Sequence, residues 1–171
     1  MTREQFLDWE VRQELRYEFD GSQPVAMTGG TATHAIIQSN LAIVIGGRLR
    51  GAPCQYFGSD LKIATARGFR YADGFVVCNA VAPHATVVHD PVAIFEVLSD
   101  STGGIDLITK NHEYAAIPSV RRYIVLAPDE MAGALFERID DDCRPPAERR
   151  QRAAHAGDWP RDRADGTIRR C

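Results

Sequence analysis

The segment Pro91–Leu98 constrains the fold more than any other part of the chain. Its sequence is Pro-Val-Ala-Ile-Phe-Glu-Val-Leu, in which Glu96 is the only charged residue. A nearly continuous apolar run of this length is typical of a strand that is buried on both faces of a sheet. Such a strand needs a neighbour on each side and a covering layer on each face. The chain is therefore expected to form a layered structure around this segment.

The rest of the chain supplies those layers. Helices are predicted over 3–14, capped by Thr2, over 33–50 and over 104–117. The packed side of the last helix is predicted to hold Ile105, Ile108, His112 and Ala115. Strands are predicted at 17–19, 24–27, 54–57, 60–65, 69–78, 91–98, 122–127 and 133–136. This order predicts an α/β fold in which helices flank a mixed β-sheet.

The carboxyl-terminal end differs from the rest of the chain in composition. Residues 137–171 contain nine arginines and eight acidic residues, but only Ile139, Trp159 and Ile168 as large apolar side chains. Burial of so few apolar groups does not offset the conformational entropy lost on folding. We therefore predict a folded domain over 1–139 and a polar, disordered tail over 140–171.

Composition excludes several classes of protein. No run of 18 apolar residues is present, so a membrane span is not expected, and the acidic amino terminus lacks the apolar stretch of a signal peptide. These features favour a cytoplasmic protein. A net charge of −3 argues against holding nucleic acid by bulk charge alone. The four cysteines form no CxxC pair, so free thiols are expected.

Two acidic residues stand at strand positions and raise the possibility of a metal site. Glu96 lies inside the apolar run, and Asp73 lies within the strand predicted at 69–78. Two carboxylates on adjacent strands would repel unless one were protonated or a cation lay between them. Oxygen ligands of this kind select Mg²⁺ or Mn²⁺. The alternatives are an edge-facing or salt-bridged Glu96 and an Asp73-Gly74 turn.

Lys110 is the third candidate. It is one of only two lysines in the chain, against eighteen arginines, and it lies in the predicted helix that follows the strand of Glu96. Its ammonium group could stabilise charge that develops on phosphorus. The alternative is an ordinary solvated lysine on a helix surface.

Six short motifs in order carry a family resemblance. They are Arg16-Tyr17-Glu18-Phe19-Asp20-Gly21, Gly30-Thr31-Ala32-Thr33-His34, Gly58-Ser59-Asp60-Leu61, Tyr71-Ala72-Asp73, Phe95-Glu96-Val97-Leu98-Ser99-Asp100-Ser101-Thr102 and Lys110-Asn111-His112-Glu113-Tyr114. Over residues 3–136 the chain resembles the Uma-two family of bacterial restriction-endonuclease-like proteins, a branch of the PD-(D/E)XK nuclease superfamily. The resemblance implies a restriction-endonuclease-like core within residues 1–139.

The resemblance also implies roles for individual residues. Asp73 and Glu96 match the two acidic motif residues, and with the carbonyl of Val97 they would bind Mg²⁺ or Mn²⁺. Lys110 matches a catalytic lysine that has moved to the following helix, since Leu98 occupies the usual place. Glu18 matches an acidic position near the amino terminus that joins the metal site.

Other matched positions are less informative, and some depart from the family pattern. His34 and Tyr114 match recurrent positions for which packing is the expected role. Ala72 replaces the motif proline, and Gly74 replaces a bulkier residue, which is expected to leave a more flexible strand. Relatives continue with apolar strands where this chain has its arginine-rich end.

Two functions remain open at this point. The first is a metal-dependent endonuclease, a hydrolase that cleaves DNA phosphodiester bonds. The second is a non-catalytic module that keeps the nuclease fold for interaction or homodimer formation, including the product of a degenerate gene. The negative charge and the altered carboxyl-terminal end favour the second, and the grouped acidic residues and lysine favour the first.

Overall fold

The computed structural model describes residues 1–27, 29–99, 104–128, 133–138 and 152–155, without the side chains of 104–106 and 152–155. It contains the helices α1 (Arg3–Glu10), α2 (Ala32–Leu41) and α3 (Gly104–Ala115), and a π-helical segment, Ala42–Gly46, continues α2. The strands are β1 (Tyr17–Phe19), β2 (Pro24–Ala26), β3 (Gln55–Gly58), β4 (Lys62–Ala64), β5 (Phe69–Arg70), β6 (Gly74–Val77), β7 (Val87–Val88), β8 (Pro91–Val97), β9 (Arg122–Leu126), β10 (Gly133–Glu137) and β11 (Arg152–His155).

The strands form two mixed sheets. The first sheet has the order β2-β1-β5-β4-β7 and the second has the order β11-β10-β9-β8-β6-β3. Pairing is parallel between β8 and β9 and between β4 and β7, and antiparallel elsewhere. The predicted α/β class is confirmed, although two sheets replace the single sheet that was expected.

The apolar run forms the interior strand of the second sheet. Strand β8 lies between β9 and β6, and Ile94 and Val97 are buried. Tyr114 of α3 packs with Phe75, Ile94 and Val125 in one core cluster. The two-sided burial predicted from the run is therefore observed.

Helix α1 supplies the core of the first sheet. Thr2 and Gln5 form a reciprocal capping box that begins the helix as predicted. The ring of Phe6 lies 5.0 Å from that of Phe19 and 5.8 Å from that of Phe69. The helix ends at Glu10, four residues before the predicted end at 14, and Glu10 is itself buried.

The packed face predicted for α3 is wrong. Ile108, which was placed on that face, is 60% exposed. Tyr114 is fully buried, and the Lys110 and Glu113 side chains form ion pairs with residues of other elements. The helix therefore turns partly polar residues inward, and the rule that apolar residues mark the buried face fails here.

The prediction of free thiols is wrong for two of the four cysteines. Cys54 and Cys78 form a disulfide across a sequence separation of 24 residues. Strands β3 and β6 pair antiparallel with Gln55 opposite Val77. Cys54, which precedes Gln55, therefore lies opposite Cys78, which follows Val77. Strand register, which cysteine spacing does not reveal, brings the two thiols together.

Strand β11 lies within the segment predicted as a disordered tail. Its four residues pair with β10 in an antiparallel ladder, with Ala134 opposite His155. Backbone pairing at a sheet edge needs no large apolar side chain, so these four residues can pair although the segment has few of them. Residues 140–151 and 156–171 lie outside the described residues, and the division at residue 139 stays a prediction. None of the described helices is long and apolar enough to cross a membrane.

Gly74 has a packing role. A Cβ atom at this position would lie 2.7 Å from Cζ of Tyr56, whose ring occupies the space beside the β6 backbone. The sequence alone predicts that Gly74 makes the strand more flexible. The structure shows instead that the missing side chain makes room for the tyrosine of the neighbouring strand.

Gly74→Ala is expected to lower the free energy of unfolding by about 1–3 kcal/mol, because the Tyr56 ring must shift. Gly58→Ala is the matched control, since Gly58 pairs with Gly74 and a Cβ there meets no atom within 4 Å. Urea denaturation measures both variants. Equal losses of unfolding free energy in the two variants would contradict the packing role of Gly74. In a Tyr56→Leu background, Gly74→Ala should cost less.

Candidate active site

A cleft of about 200 Å³ contains all five residues that the sequence predicts for the site. It is bordered by β1, β2 and β8 and by residues of α2 and α3. Its lining residues are Glu18, Val25, Ala26, Met27, Gly29, Gly30, His34, Tyr71, Asp73, Glu96, Val97, Ser99 and Lys110. The elements that line it come from both sheets, so the site depends on how the sheets are joined.

Strand pairing brings the two acidic residues to one end of the second sheet. Asp73 immediately precedes β6, and Glu96 is the second-to-last residue of β8. These strands are antiparallel neighbours with Gly74 opposite Phe95. Residues adjacent to that pair on each strand therefore lie close together, as the sequence analysis expects.

Glu96 is a buried carboxylate with two polar partners from α3. The Tyr114 hydroxyl donates to Oε1 at 2.9 Å, and the Lys110 ammonium lies 3.5 Å from the same oxygen. Burial raises the pKa of Glu96 to about 7, and the Lys110 charge opposes this rise, whereas the negative charges of Asp73 and Glu18 add to it. The carboxyl group is therefore poised to titrate near neutral pH.

Asp73 is held in a fixed orientation. The side-chain amide of Gln38 donates to Oδ1 at 2.7 Å, and the backbone N–H of Val97 donates to Oδ2 at 2.6 Å. Nε2 of His34 lies 3.3 Å from Oδ2. The sequence predicts Val97 through its carbonyl, whereas the contact observed here is made by its amide. Gln38 was not predicted, since nothing in its sequence context sets it apart from a surface glutamine.

Glu18 takes part in a network of charges. Nη1 of Arg70 lies 3.0 Å from Oε2, and the backbone N–H of Tyr71 donates to Oε1 at 3.0 Å. The Lys110 ammonium is 3.8 Å from Oε1. Arg70 in turn makes a two-point contact with Glu113 of α3. Arg70 and Glu113 were not predicted, although an arginine in the run Phe69-Arg70-Tyr71-Ala72 is a possible signal of a buried ion pair.

Both lysines of the chain form ion pairs, Lys62 at a buried position and Lys110 at a largely buried one. The Lys110 side chain is 12% exposed and lies between Glu96 and Glu18, so it is not a solvated helix lysine. The Lys62 ammonium lies 2.8 Å from Oε2 of Glu10, and Oε1 of Glu10 accepts a hydrogen bond from Tyr71. The rarity of lysine thus marks two buried cation positions, of which one lies in the cleft.

His34 and Tyr114 have polar contacts in addition to packing. His34 lines the cleft beside Asp73, and its side chain is 15% exposed. Tyr114 is fully buried, and its ring lies 5.2 Å from that of Tyr123 while its hydroxyl donates to Glu96. The packing role expected for both is observed for Tyr114 and does not account for His34.

A divalent cation is the ion that the sequence predicts for this cleft. Across the described ranges of the chain, no three His, Cys, Asp or Glu side chains form a group that could hold a metal ion. Mg²⁺, however, is commonly bound through one or two carboxylates together with water and phosphate oxygens. Asp73 and Glu96 supply such a pair. Burial raises the pKa of Glu96 and the negative charge of Asp73 adds to this rise, so a cation beside the two carboxylates would be favourable. The residues present fit the predicted ion.

Comparisons with known proteins bear on the family and the fold of the chain. Residues 3–156 match the model of the Uma2 (Uma-two) family, which carries the description "Putative restriction endonuclease". An uncharacterized protein of Synechocystis sp. is 31% identical over 144 residues, which cover 82% of this chain and 76% of that protein. A crystal structure of "a putative nuclease belonging to DUF820" from Anabaena variabilis superposes with a TM-score of 0.69 at 17% identity, covering 90% of this chain and 83% of the other. At that identity the structural likeness establishes the fold.

The raised pKa of Glu96 predicts how stability depends on pH. The folded state binds the Glu96 proton more tightly than the unfolded state, so stability is lost as pH rises from about 4.5 towards about 7. Glu96→Gln removes this loss and should stabilise the metal-free protein by on the order of 1–3 kcal/mol at about pH 8, but little at about pH 4.

Urea denaturation at several pH values measures this difference. Glu137→Gln is the matched control, because Glu137 pairs with Arg122 at an exposed position. A stabilisation by Glu96→Gln that does not change with pH would contradict the assignment of the raised pKa.

Proposed function

The chain belongs to the Uma2 family, and on this basis we propose that it is a metal-dependent endonuclease that hydrolyses phosphodiester bonds in DNA. The family description and the nuclease fold support the nuclease class. To the nuclease class we add, as part of the proposal, metal dependence and a DNA substrate. The observation that carries the proposal is the convergence of Asp73, Glu96, Glu18 and Lys110 on one cleft.

The proposed metal ligands are the Asp73 and Glu96 carboxylates and the carbonyl of Val97. With these residues holding Mg²⁺ or Mn²⁺, the ion would act as a Lewis acid, which would lower the pKa of a water molecule and polarise a phosphate. Ionised Glu96 is the form that can bind the ion. Glu96, whose pKa is raised to about 7, is therefore expected to lose its proton when the ion binds.

Around these ligands, the side chains of the cleft position the reacting groups. Gln38 and the Val97 amide hold the Asp73 carboxylate through both of its oxygens, which fixes the direction in which its remaining lone pairs point. Lys110 places a positive charge 3.5 Å from Glu96, where it can stabilise the charge that develops on a phosphate in the cleft. Positioning and charge stabilisation of this kind are the main contributions a protein makes to phosphoryl chemistry.

The expected partner is DNA held through local contacts. The chain has a net charge of −3, so a broad positive surface is not the basis of binding. Lys110 is the cation that the described part of the cleft lining presents to a phosphate. Binding should therefore depend strongly on the divalent ion, which would screen the carboxylates from the phosphate.

Plasmid nicking tests the proposal. The protein should nick supercoiled DNA with Mg²⁺ or Mn²⁺ and not with EDTA. Asp73→Asn, which keeps an acceptor for the Val97 amide, should lower the rate by at least about 100-fold without loss of folded structure. Glu137→Gln serves as the surface control. An Asp73→Asn variant that retains full activity would contradict the assignment of Asp73 as a ligand.

One observation favours the second function, that of an interaction or homodimer module. Ile36 is 60% exposed and Ile43 is 71% exposed on α2 and its π-helical continuation, and Val44 beside them is 49% exposed. Apolar side chains grouped in this way are common at protein interfaces. Light scattering of the intact protein tests this candidate, and Ile36→Lys with Ile43→Lys should convert any dimer to a monomer.

A further inference from the structure

Helix α3 contacts the two sheets through three side chains on one side of the helix. Lys110, Glu113 and Tyr114 are three and four residues apart, a spacing that places them on the same helical face. Lys110 and Tyr114 both contact Glu96 of the second sheet. Glu113 instead contacts Arg70 of the first sheet. The helix is thus joined to both sheets through one polar face.

The contact between Arg70 and Glu113 has two-point geometry. Nε of Arg70 lies 2.7 Å from Oε2 of Glu113, and Nη2 lies 3.0 Å from Oε1. Nη1 of the same guanidinium lies 3.0 Å from Oε2 of Glu18. Arg70 is only 4% exposed. A planar guanidinium held at three points fixes the distance and the angle between the two carboxylates, which a lysine at this position would not do.

The distribution of charge makes Arg70 important for Lys110. Glu18, Glu96 and Glu113 are three neighbouring carboxylates. Within the described residues, Arg70 pairs with Glu18 and Glu113, and Lys110 lies near Glu18 and Glu96. Glu18 is shared, since Arg70 contacts Oε2 and Lys110 lies 3.8 Å from Oε1. Because Arg70 neutralises Glu18 and Glu113, Lys110 can stay beside Glu96. Without Arg70, two unpaired carboxylates would compete for its charge.

We propose that Arg70 is a positioning residue for the cleavage reaction: through Glu113 and Glu18 it fixes helix α3 and so holds the Lys110 ammonium beside Glu96. This inference rests on the proposed endonuclease function. It assigns no contact with DNA to Arg70. Arg70 affects the reaction only by positioning Lys110. Measurements on Lys110 can therefore distinguish this role from general structural support.

The two lysines allow a test that does not require cleavage. Lys110 and Lys62 are the only lysines in the chain, and each is buried in its own ion pair. Brief modification with acetic anhydride, followed by mass spectrometry, gives the ratio of their labelling. Arg70→Met and Glu113→Gln should each raise labelling of Lys110 several-fold relative to Lys62.

The matched control uses the other buried pair. Glu10→Gln removes the carboxylate that contacts Lys62 and should raise labelling of Lys62, but not that of Lys110. Glu113→Gln keeps the side-chain volume and leaves Arg70 paired with Glu18, so it tests the inference even if Arg70→Met does not fold. Unchanged Lys110 labelling in Glu113→Gln would overturn the proposal.

A double-mutant cycle tests the catalytic part. Arg70→Met and Lys110→Met are compared singly and together with plasmid DNA and Mg²⁺. Arg70→Met should lower kcat by about tenfold or more, with little change in KM, and should add almost nothing once Lys110 is Met. Additive losses would show ordinary structural support and would overturn the proposal. If the unmodified protein does not cleave DNA, the proposed function fails, and the labelling ratio alone decides whether Arg70 positions Lys110.

Discussion

Burial of the Glu96 carboxylate in an interior strand is the constraint on which the rest of the site depends. An ionised carboxylate in such a place is costly unless cations and hydrogen-bond donors surround it. Lys110 and Tyr114 of α3 provide one of each. Burial raises the pKa of Glu96, and the nearby negative charges of Asp73 and Glu18 add to this rise while Lys110 opposes it. The divalent cation that we propose for the cleft would offset this excess of negative charge.

The same constraint explains how the two sheets are joined. Helix α3 must be held at a fixed distance from β8 for Lys110 to contact Glu96, and Arg70 of β5 provides the second attachment through Glu113. Glu18 of β1 closes the network by contacting both cations. The site and the junction of the sheets are therefore built from the same charged side chains.

Sequence alone predicts the parts of this arrangement that depend on local pattern. Pro91–Val97 is a strand because its apolar run leaves little alternative, and Asp73, Glu96 and Lys110 stand out as charged or rare residues. The partners of these residues could not be predicted in the same way. Arg70 contacts Glu18 and Glu113 across 52 and 43 residues, and Cys54 meets Cys78 through strand register. Such contacts follow from topology, which no short window of sequence contains.

The inward face of α3 could not be predicted from the sequence pattern either. The ion pairs that explain this also explain why arginine stands at one position and lysine at another. Ile108 is exposed while Lys110 and Glu113 form ion pairs, because carboxylates of the two sheets stabilise Lys110 and the guanidinium of Arg70 stabilises Glu113. Arginine and lysine then occupy places that match their shapes. Arg70 spans two carboxylates with a planar fork, whereas each lysine places a compact charge beside its carboxylate partners. In a chain with eighteen arginines, the two lysines each place a single point of charge beside carboxylates, Lys62 beside Glu10 and Lys110 beside Glu96 and Glu18.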